Sequence, residues 1–421
     1  PPRSTLFPYT TLFRSDDKVR AFFDRHLRSV KPTAAAEQPQ SSPTGADVAV
    51  EGNKEPLLAQ KRAALRGGIF TKALWNGKPV PGLEQAIAGG HLTGLNLTVR
   101  WRDFELEPGW FDWEPIDEVI QLAEQHDLTV TLGIFGGVWT PDWAYEKYRM
   151  PAVQFKHTKE MVRHAFGQEF RVPHVWELAY QNAFMAAVGA MARRYDANPR
   201  VVRVFVSGPS FFFNEFHVES WLAEIMQPHG FTERKYIDGW KRALDQYAKV
   251  FPHTPLDLAL VPFGGRLEPL DELVNHAVAG HAGQVVFSNH SLNDRATGNA
   301  HHPLAKLYRR FAELAPRVPI GFEFAEYQMS DGASFSHPTS KQNPAAFAKA
   351  IDWAIESGAW FLHAESGRLL NPANAAAFAG FRGESVILAG QAGARTVSGA
   401  RNGSTRHVED TAEEQPVNER K

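Results

Sequence analysis

The residues best suited to bond chemistry in this chain are glutamates at the ends of apolar runs. Glu215 follows Asn214 in the stretch Val201–Val218, VVRVFVSGPSFFFNEFHV, and Glu323 and Glu326 lie in Pro319–Tyr327, PIGFEFAEY. The β-branched, apolar start of the first stretch suits a strand buried on both faces. A buried parallel strand that ends in a carboxylate delivers that group to the rim of a barrel, where a second carboxylate from another strand can meet it. Two such carboxylates can act on a glycosidic bond, one on the leaving oxygen and one on the anomeric carbon.

Residues so far apart meet only if the elements between them bring strand ends together. Strands are predicted at Gly67–Thr71, Leu92–Glu105, Leu128–Phe135, Val201–Ser207, Leu256–Val261, Gln284–Ser288, Val318–Glu323 and Ala359–Ala364. Helices are predicted between and after them, at Pro81–Gly90, Ile116–His126, Leu178–Tyr195, Lys235–Phe251, Asp271–His281, Leu304–Ala315, Pro344–Ser357 and Pro372–Phe381. Strict alternation implies a parallel sheet, and about eight such units over roughly 300 residues fit an α/β fold, the (β/α)8 or TIM barrel. A doubly wound open sheet is the alternative, but no glycine-rich phosphate loop follows the first strand. The long connection Gly136–Pro173 is predicted to be functional.

In a barrel, the loops after the strands share one face. The second strand then offers Arg100 and Trp101, the third Trp139 and Trp143, and the fourth Asn214 and Glu215. The sixth offers Asn289 and His290, the seventh Glu323, Glu326 and Tyr327, and the eighth His363. The first offers little beyond Lys72, which reads as a solvated loop lysine. Aromatic faces, amides, imidazoles and paired carboxylates are the inventory of a carbohydrate site. No HExxH or comparable ligand spacing marks a zinc site, so neither metal nor cofactor is expected.

The bulk composition fits this reading. With 421 residues, 43% of them hydrophobic, the chain can bury a large core. A formal net charge of -2 gives no basic stripe for nucleic acid and no pull toward an anionic membrane. No apolar run approaches the ~20 residues of a membrane span. The absence of cysteine excludes disulfides and thiolate chemistry and assigns neither compartment nor oligomeric state.

The flanks differ in character. Pro1–Ser15 resembles a translated sequencing adapter, so the native N-terminus, with any signal peptide, is expected to be missing. The segment up to residue 54 reads as this foreign run plus a flexible linker, residues 55–389 as the barrel, and residues 390–421 as a disordered tail.

Three segments make a resemblance visible. Trp101–Ile134, WRDFELEPGWFDWEPIDEVIQLAEQHDLTVTLGI, resembles the second-strand region of clan A glycoside hydrolases, closest to family 42 β-galactosidases and family 5-like enzymes. Gly137–Tyr145, GVWTPDWAY, is similar to their third-strand loop, and Tyr180–Gly208 to the helix and strand that precede their acid/base. The resemblance implies a retaining glycosidase with Asn214-Glu215 as the acid/base pair. Glu323 is then the nucleophile, with Glu326 as the second candidate. It further implies that Asn214 binds the sugar 2-hydroxyl and Arg100 keeps the nucleophile ionised. Tyr327 or His290 would position it, and Trp101, Trp139 and Trp143 would form the sugar platform. Trp113 is assigned to packing. GPSFFFN, between Gly208 and Asn214, departs from the family in length and aromatic content. The competing reading is a barrel that binds glycans without cleaving them; an aldolase on Lys72 or a metal-assisted isomerase is a third.

Overall fold

Eight apolar runs become eight parallel strands that close on themselves. In the computed structural model these are β1 Gly68–Lys72, β2 Gly94–Arg100, β3 Thr129–Phe135, β4 Val201–Phe205, β5 Leu256–Leu260, β6 Val285–Leu292, β7 Ile320–Phe324 and β8 Ala359–His363. Each pairs in parallel with its sequence neighbours, and β1 pairs with β8, which closes the barrel. The structure describes residues 54–65, 68–75, 77–156, 168–294, 296, 299–325 and 343–383. The expected flexible flank, tail, Glu326 and Tyr327 lie outside the described residues.

The helices that follow the strands are α1 Leu83–Ala88, α2 Glu114–Gln125, α3 Leu178–Tyr195, α4 Glu233–Val250, α5 Glu268–His281, α6 Pro303–Leu314, α7 Pro344–Glu356 and α8 Ala375–Gly383. Their sequences explain their limits. In α2, Ile116, Val119, Ile120 and Ala123 form one buried stripe at helical spacing. α7 begins with proline after Asn343, whose side chain accepts from the amides of Ala345 and Ala346. α4 begins after Thr232, which accepts from the Lys235 amide.

Two features tune the interior. The pairing of β4 with β3 shifts register between Val201 and Arg203, and that of β8 with β7 shifts between Ala359 and Phe361. Such irregularities let neighbouring residues share one face. Val202, Trp360 and Phe361 accordingly join Leu65, Phe70 and Val286 in an apolar cluster, while Arg203 also turns inward, its guanidinium 3.8 Å from the Phe361 ring centroid. Gly321 is required beside them, because a Cβ there would lie 1.9 Å from the Phe361 ring.

The predicted second strand is too long at both ends. It stops at Arg100 and the chain turns into a short helix, Trp101–Phe104, and a hairpin, Glu105–Glu107 with Trp110–Phe111. The cause is local: the Trp101 indole N–H donates to Glu105 Oε2 over 2.7 Å, and Glu105 Oε1 accepts from the Gly109 amide. The long third connection has structure of its own. It contains the helix Asp142–Lys147 and an antiparallel hairpin, Ala152–Lys156 with Glu169–Pro173.

The helix Lys54–Ala63 precedes the barrel and is tied to it by one buried amine. Lys61 Nζ donates to the Asp196 carbonyl at 2.5 Å and to Thr254 Oγ1 at 2.8 Å. Burial lowers the pKa of this ammonium to about 8 against the pull of Asp196.

Candidate active site

A cavity of about 380 Å³ opens where the strands end, and Glu215 and Glu323 both line it. Lys72, Arg100, Trp139, Asn214 and His290 share its wall. Residues from β1, β2, β6 and β7 and from the third and fourth connections thus converge across more than two hundred positions of sequence. Asn96, Thr98, Asp103 and Asp112 add polar groups, and Phe135, Phe205, Phe213 and Phe324 add apolar faces.

Glu215 reaches this wall by a detour. β4 stops at Phe205, the chain leaves the sheet, and Glu215–Phe216 rejoin it in parallel register with Ala259 and Leu260 of β5. The aromatic segment between is docked on the third connection. The Phe211 carbonyl accepts from the Val138 amide, and the Phe212 carbonyl accepts from the Trp139 indole, each over 2.9 Å. Gly137 allows this approach: its φ is 59°, and a Cβ would lie 2.1 Å from the Phe211 oxygen. The extra aromatic residues therefore brace Glu215 against the third loop, and Phe213 itself joins the cavity wall.

Glu323 is held by two neighbours. Lys72 Nζ lies 2.8 Å from Glu323 Oε1, and His363 Nδ1 lies 3.2 Å from Glu323 Oε2. Burial would push this carboxyl up, but Lys72, His290 and His363 outweigh it and hold it well below the usual carboxylate range. Lys72 is no solvated loop lysine: it ends β1 and faces Glu323. The sequence reading gave the task of pairing the nucleophile to Arg100. Arg100 does line the cavity, but the structure sets it 3.5 Å from Asp103 and 4.5 Å over the Trp139 ring.

Beneath the cavity runs a chain of buried polar groups that links the two glutamates. His290 Nδ1 is 3.4 Å from Glu215 Oε1, and His290 Nε2 is 3.2 Å from Ser288 Oγ. Ser288 donates to Asp257 Oδ1 over 2.5 Å. Asp257 Oδ2 and Arg203 Nη1 form an ion pair at 2.8 Å that is out of line for a hydrogen bond. Arg203 Nη2 donates to His363 Nε2, which returns the chain to Glu323. Arginine can only donate, so His363 Nε2 must accept and Nδ1 must carry the proton given to Glu323. Burial and the Arg203 charge push the His363 pKa down to about 3, against the pull of Glu323, which keeps the ring neutral. Burial pushes Asp257 up and lowers Arg203 to about 10.

The other sequence candidates fall into different places. Trp101 is 0% exposed, packed edge-on against Trp143, Tyr180 and Phe184, so it cannot stack on a ligand. Trp143 donates to the Glu105 carbonyl and is not on the cavity wall. Asn289 is fully buried, its amide donating to the Leu260 carbonyl and its oxygen accepting from Tyr308. Those bonds take up the polar atoms a ligand would need. His363 stands behind Glu323 and is not on the main wall. Trp113 packs on Phe104, Phe111 and Tyr195, as the sequence implied.

Sequence reasoning passed over Arg203 and Asp257. The signal was there: a single charge in the middle of each apolar strand, VVRVF and LDLAL. A charge so placed must be paired, and two of them imply one another.

A family model described as Beta-galactosidase, Glyco_hydro_42, matches residues 91–229. The match spans β2 to β4 and includes Glu215; it ends before β7. No curated protein matches the chain. Among solved structures, endo-glycoceramidase II from Rhodococcus sp. is similar at 16% identity and TM-score 0.42, over 70% of this chain and 72% of that one. The β-amylase catalytic domain from Paenibacillus polymyxa is similar at 10% identity and TM-score 0.47, over 76% and 97%. The β-galactosidase from Rahnella sp. R3 is similar at 13% identity and TM-score 0.43, over 72% of this chain and 51% of its own length. The fold is a closed (β/α)8 barrel. Its matched segment is that of the family 42 β-galactosidase model. Among the described residues no helix is long and apolar enough to cross a membrane.

Proposed function

We propose that this barrel is a retaining glycosidase in which Glu215 is the acid/base and Glu323 the nucleophile. One observation carries the reading: two carboxylates from separate strands share one cavity wall, and one of them is held ionised by Lys72. An ionised carboxylate is what attack on an anomeric carbon requires. Glu323 Oε1 or Oε2 forms the bond to that carbon while Glu215 gives its proton to the departing oxygen. Glu215, then ionised, takes a proton from water, and the water oxygen displaces Glu323. Arg100 and Asn214 supply donors for sugar hydroxyls, and Trp139 forms part of the wall that excludes water. Glu326 stays the second candidate for nucleophile.

The family model's description makes an aryl β-galactoside the first substrate to try. Glu215→Gln is expected to lower kcat by about 10²–10⁴-fold while the melting temperature hardly moves. Glu323→Gln is expected to abolish turnover, and NMR of the sugar first formed by the parent protein should show retained configuration. Unchanged turnover in either variant refutes its role. A Glu326→Gln variant that is inactive beside an active Glu323→Gln transfers the nucleophile to Glu326. Glycan binding with no turnover in the parent protein returns the non-catalytic reading.

A further inference from the structure

Away from the cavity, Asp245 of α4 and His276 and His281 of α5 meet on the outer layer of helices. Nε2 of His276 and Nε2 of His281 each lie 2.8 Å from the same oxygen, Asp245 Oδ1. One ligand atom from each of the three lies within 4.8 Å of the others. We propose that these side chains form a zinc(II) site that clamps α4 to α5, with water completing the coordination.

The residue types suit a borderline divalent metal, since two imidazoles and one carboxylate are a common three-ligand set for zinc. The spacing suits it as well. Ligand atoms about 2.1 Å from a tetrahedral metal lie about 3.4 Å from one another. Each imidazole therefore has to withdraw from the carboxylate by only about 0.6 Å to admit the ion. Each Nε2 can now give a proton to Asp245; with the ring proton on Nδ1 instead, the Nε2 lone pair is free for the metal and the ring stays neutral.

The frame is already in place. One turn earlier on both helices, Lys241 and Glu272 pair at 2.5 Å, and Arg234 reaches the same Glu272 at 2.7 Å. The seam between α4 and α5 is thus fixed without the metal. The three side chains are 20–49% exposed, which leaves an entry path and an open position for water. The one other such group among the described residues, His290, Glu323 and His363, is already served by the cations of Lys72 and Arg203.

The site lies at the foot of the barrel. α4 runs down into the start of β5 and α5 into the start of β6, so the ends of these helices are opposite the rim that holds Glu215 and Glu323. The metal's effect is therefore on stability rather than turnover.

The test is calorimetric titration of the full chain with zinc(II), beside thermal melts with and without it. The parent protein is expected to bind one zinc that His276→Gln/His281→Gln does not bind. Saturating zinc should raise its melting temperature by at least about 2 °C, a rise absent from the double variant. Turnover should be the same in both. Cobalt(II) gives a readout independent of stability: the parent should develop a visible d–d band that Asp245→Asn lacks. A parent protein with neither saturable zinc binding nor a cobalt band overturns the site, as does zinc binding unchanged in the double variant.

Discussion

Lys72 at the end of β1 and Glu323 at the end of β7 are joined by a 2.8 Å ion pair, though 251 positions separate them. Because β1 closes onto β8 and β8 pairs with β7, the two strand ends are near neighbours on the rim. The pair bears directly on how the site titrates. Lys72 favours the ionised form of Glu323, so removing it lets the carboxylate take a proton at higher pH. Lys72→Met is expected to move the acid limb of kcat/KM upward by about one pH unit or more. Lys72→Arg should return part of the shift. An acid limb that does not move in Lys72→Met would mean that Glu323 is not the group whose ionisation the reaction needs.

The ion pair of Arg203 and Asp257 lies wholly inside the barrel, both side chains 0% exposed. Breaking such a pair leaves one charge buried without its partner, which costs about 3–5 kcal/mol. Arg203→Met alone should therefore lower stability by that order in urea unfolding. Arg203→Met/Asp257→Leu should recover a large part, because no lone charge remains. A double variant no more stable than the single one would assign the cost to lost packing on Phe361 instead.

How much of this could be read in the sequence depends on which signal each element carried. The strands declared themselves because a strand covered on both faces must be apolar throughout, as in Val201–Phe205 and Leu256–Leu260. Glu215 and Glu323 were visible because each follows such a run. The wall could not be read so well, because side-chain direction at a strand end depends on what the next few residues do. Trp101 sits one residue after β2, and the bond of its indole to Glu105 turns it into the core. Asn289 precedes the irregularity between Asn289 and Leu292 in the pairing of β6 with β7, and it is taken up by Leu260 and Tyr308. Lys72 was assigned to solvent because nothing in the local sequence tells that its partner is on β7.

Trp139 and Trp101 are expected to separate cleanly by what each variant loses. The guanidinium groups of Arg100 and Arg102 lie 4.5 and 4.8 Å from the Trp139 ring centroid, and the indole bonds the Phe212 carbonyl. Trp139→Ala removes the surface that orients Arg100 and a tether of the loop before Glu215. It should lower kcat/KM by about tenfold or more, since a cation–π contact and a hydrogen bond each count for about 1 kcal/mol. Trp101→Ala empties a fully buried site and should instead cost about 3–5 kcal/mol of stability. A Trp101 variant that melts like the parent yet loses substrate affinity would put that ring back in the binding wall.

The last expectation concerns acid. His363 has its pKa lowered from 6.5 to about 3, so between those values the unfolded chain binds a proton that the folded chain refuses. Stability must then fall as pH falls through that window, by on the order of a few kcal/mol at its foot. Glu323 also has a depressed pKa, and its contribution is lost only below its ordinary value of 4.5. Glu323 therefore adds nothing between 6.5 and 4.5, and the difference in slope between the parent and a His363 variant over that interval reports the imidazole. His363→Asn, which cannot take up the proton, should unfold with a flatter dependence on pH across that interval than the parent, whatever its stability at neutral pH. Parallel slopes for the two proteins would mean that the ring accepts its proton in the folded state, and that Arg203 does not fix it as the neutral donor to Glu323.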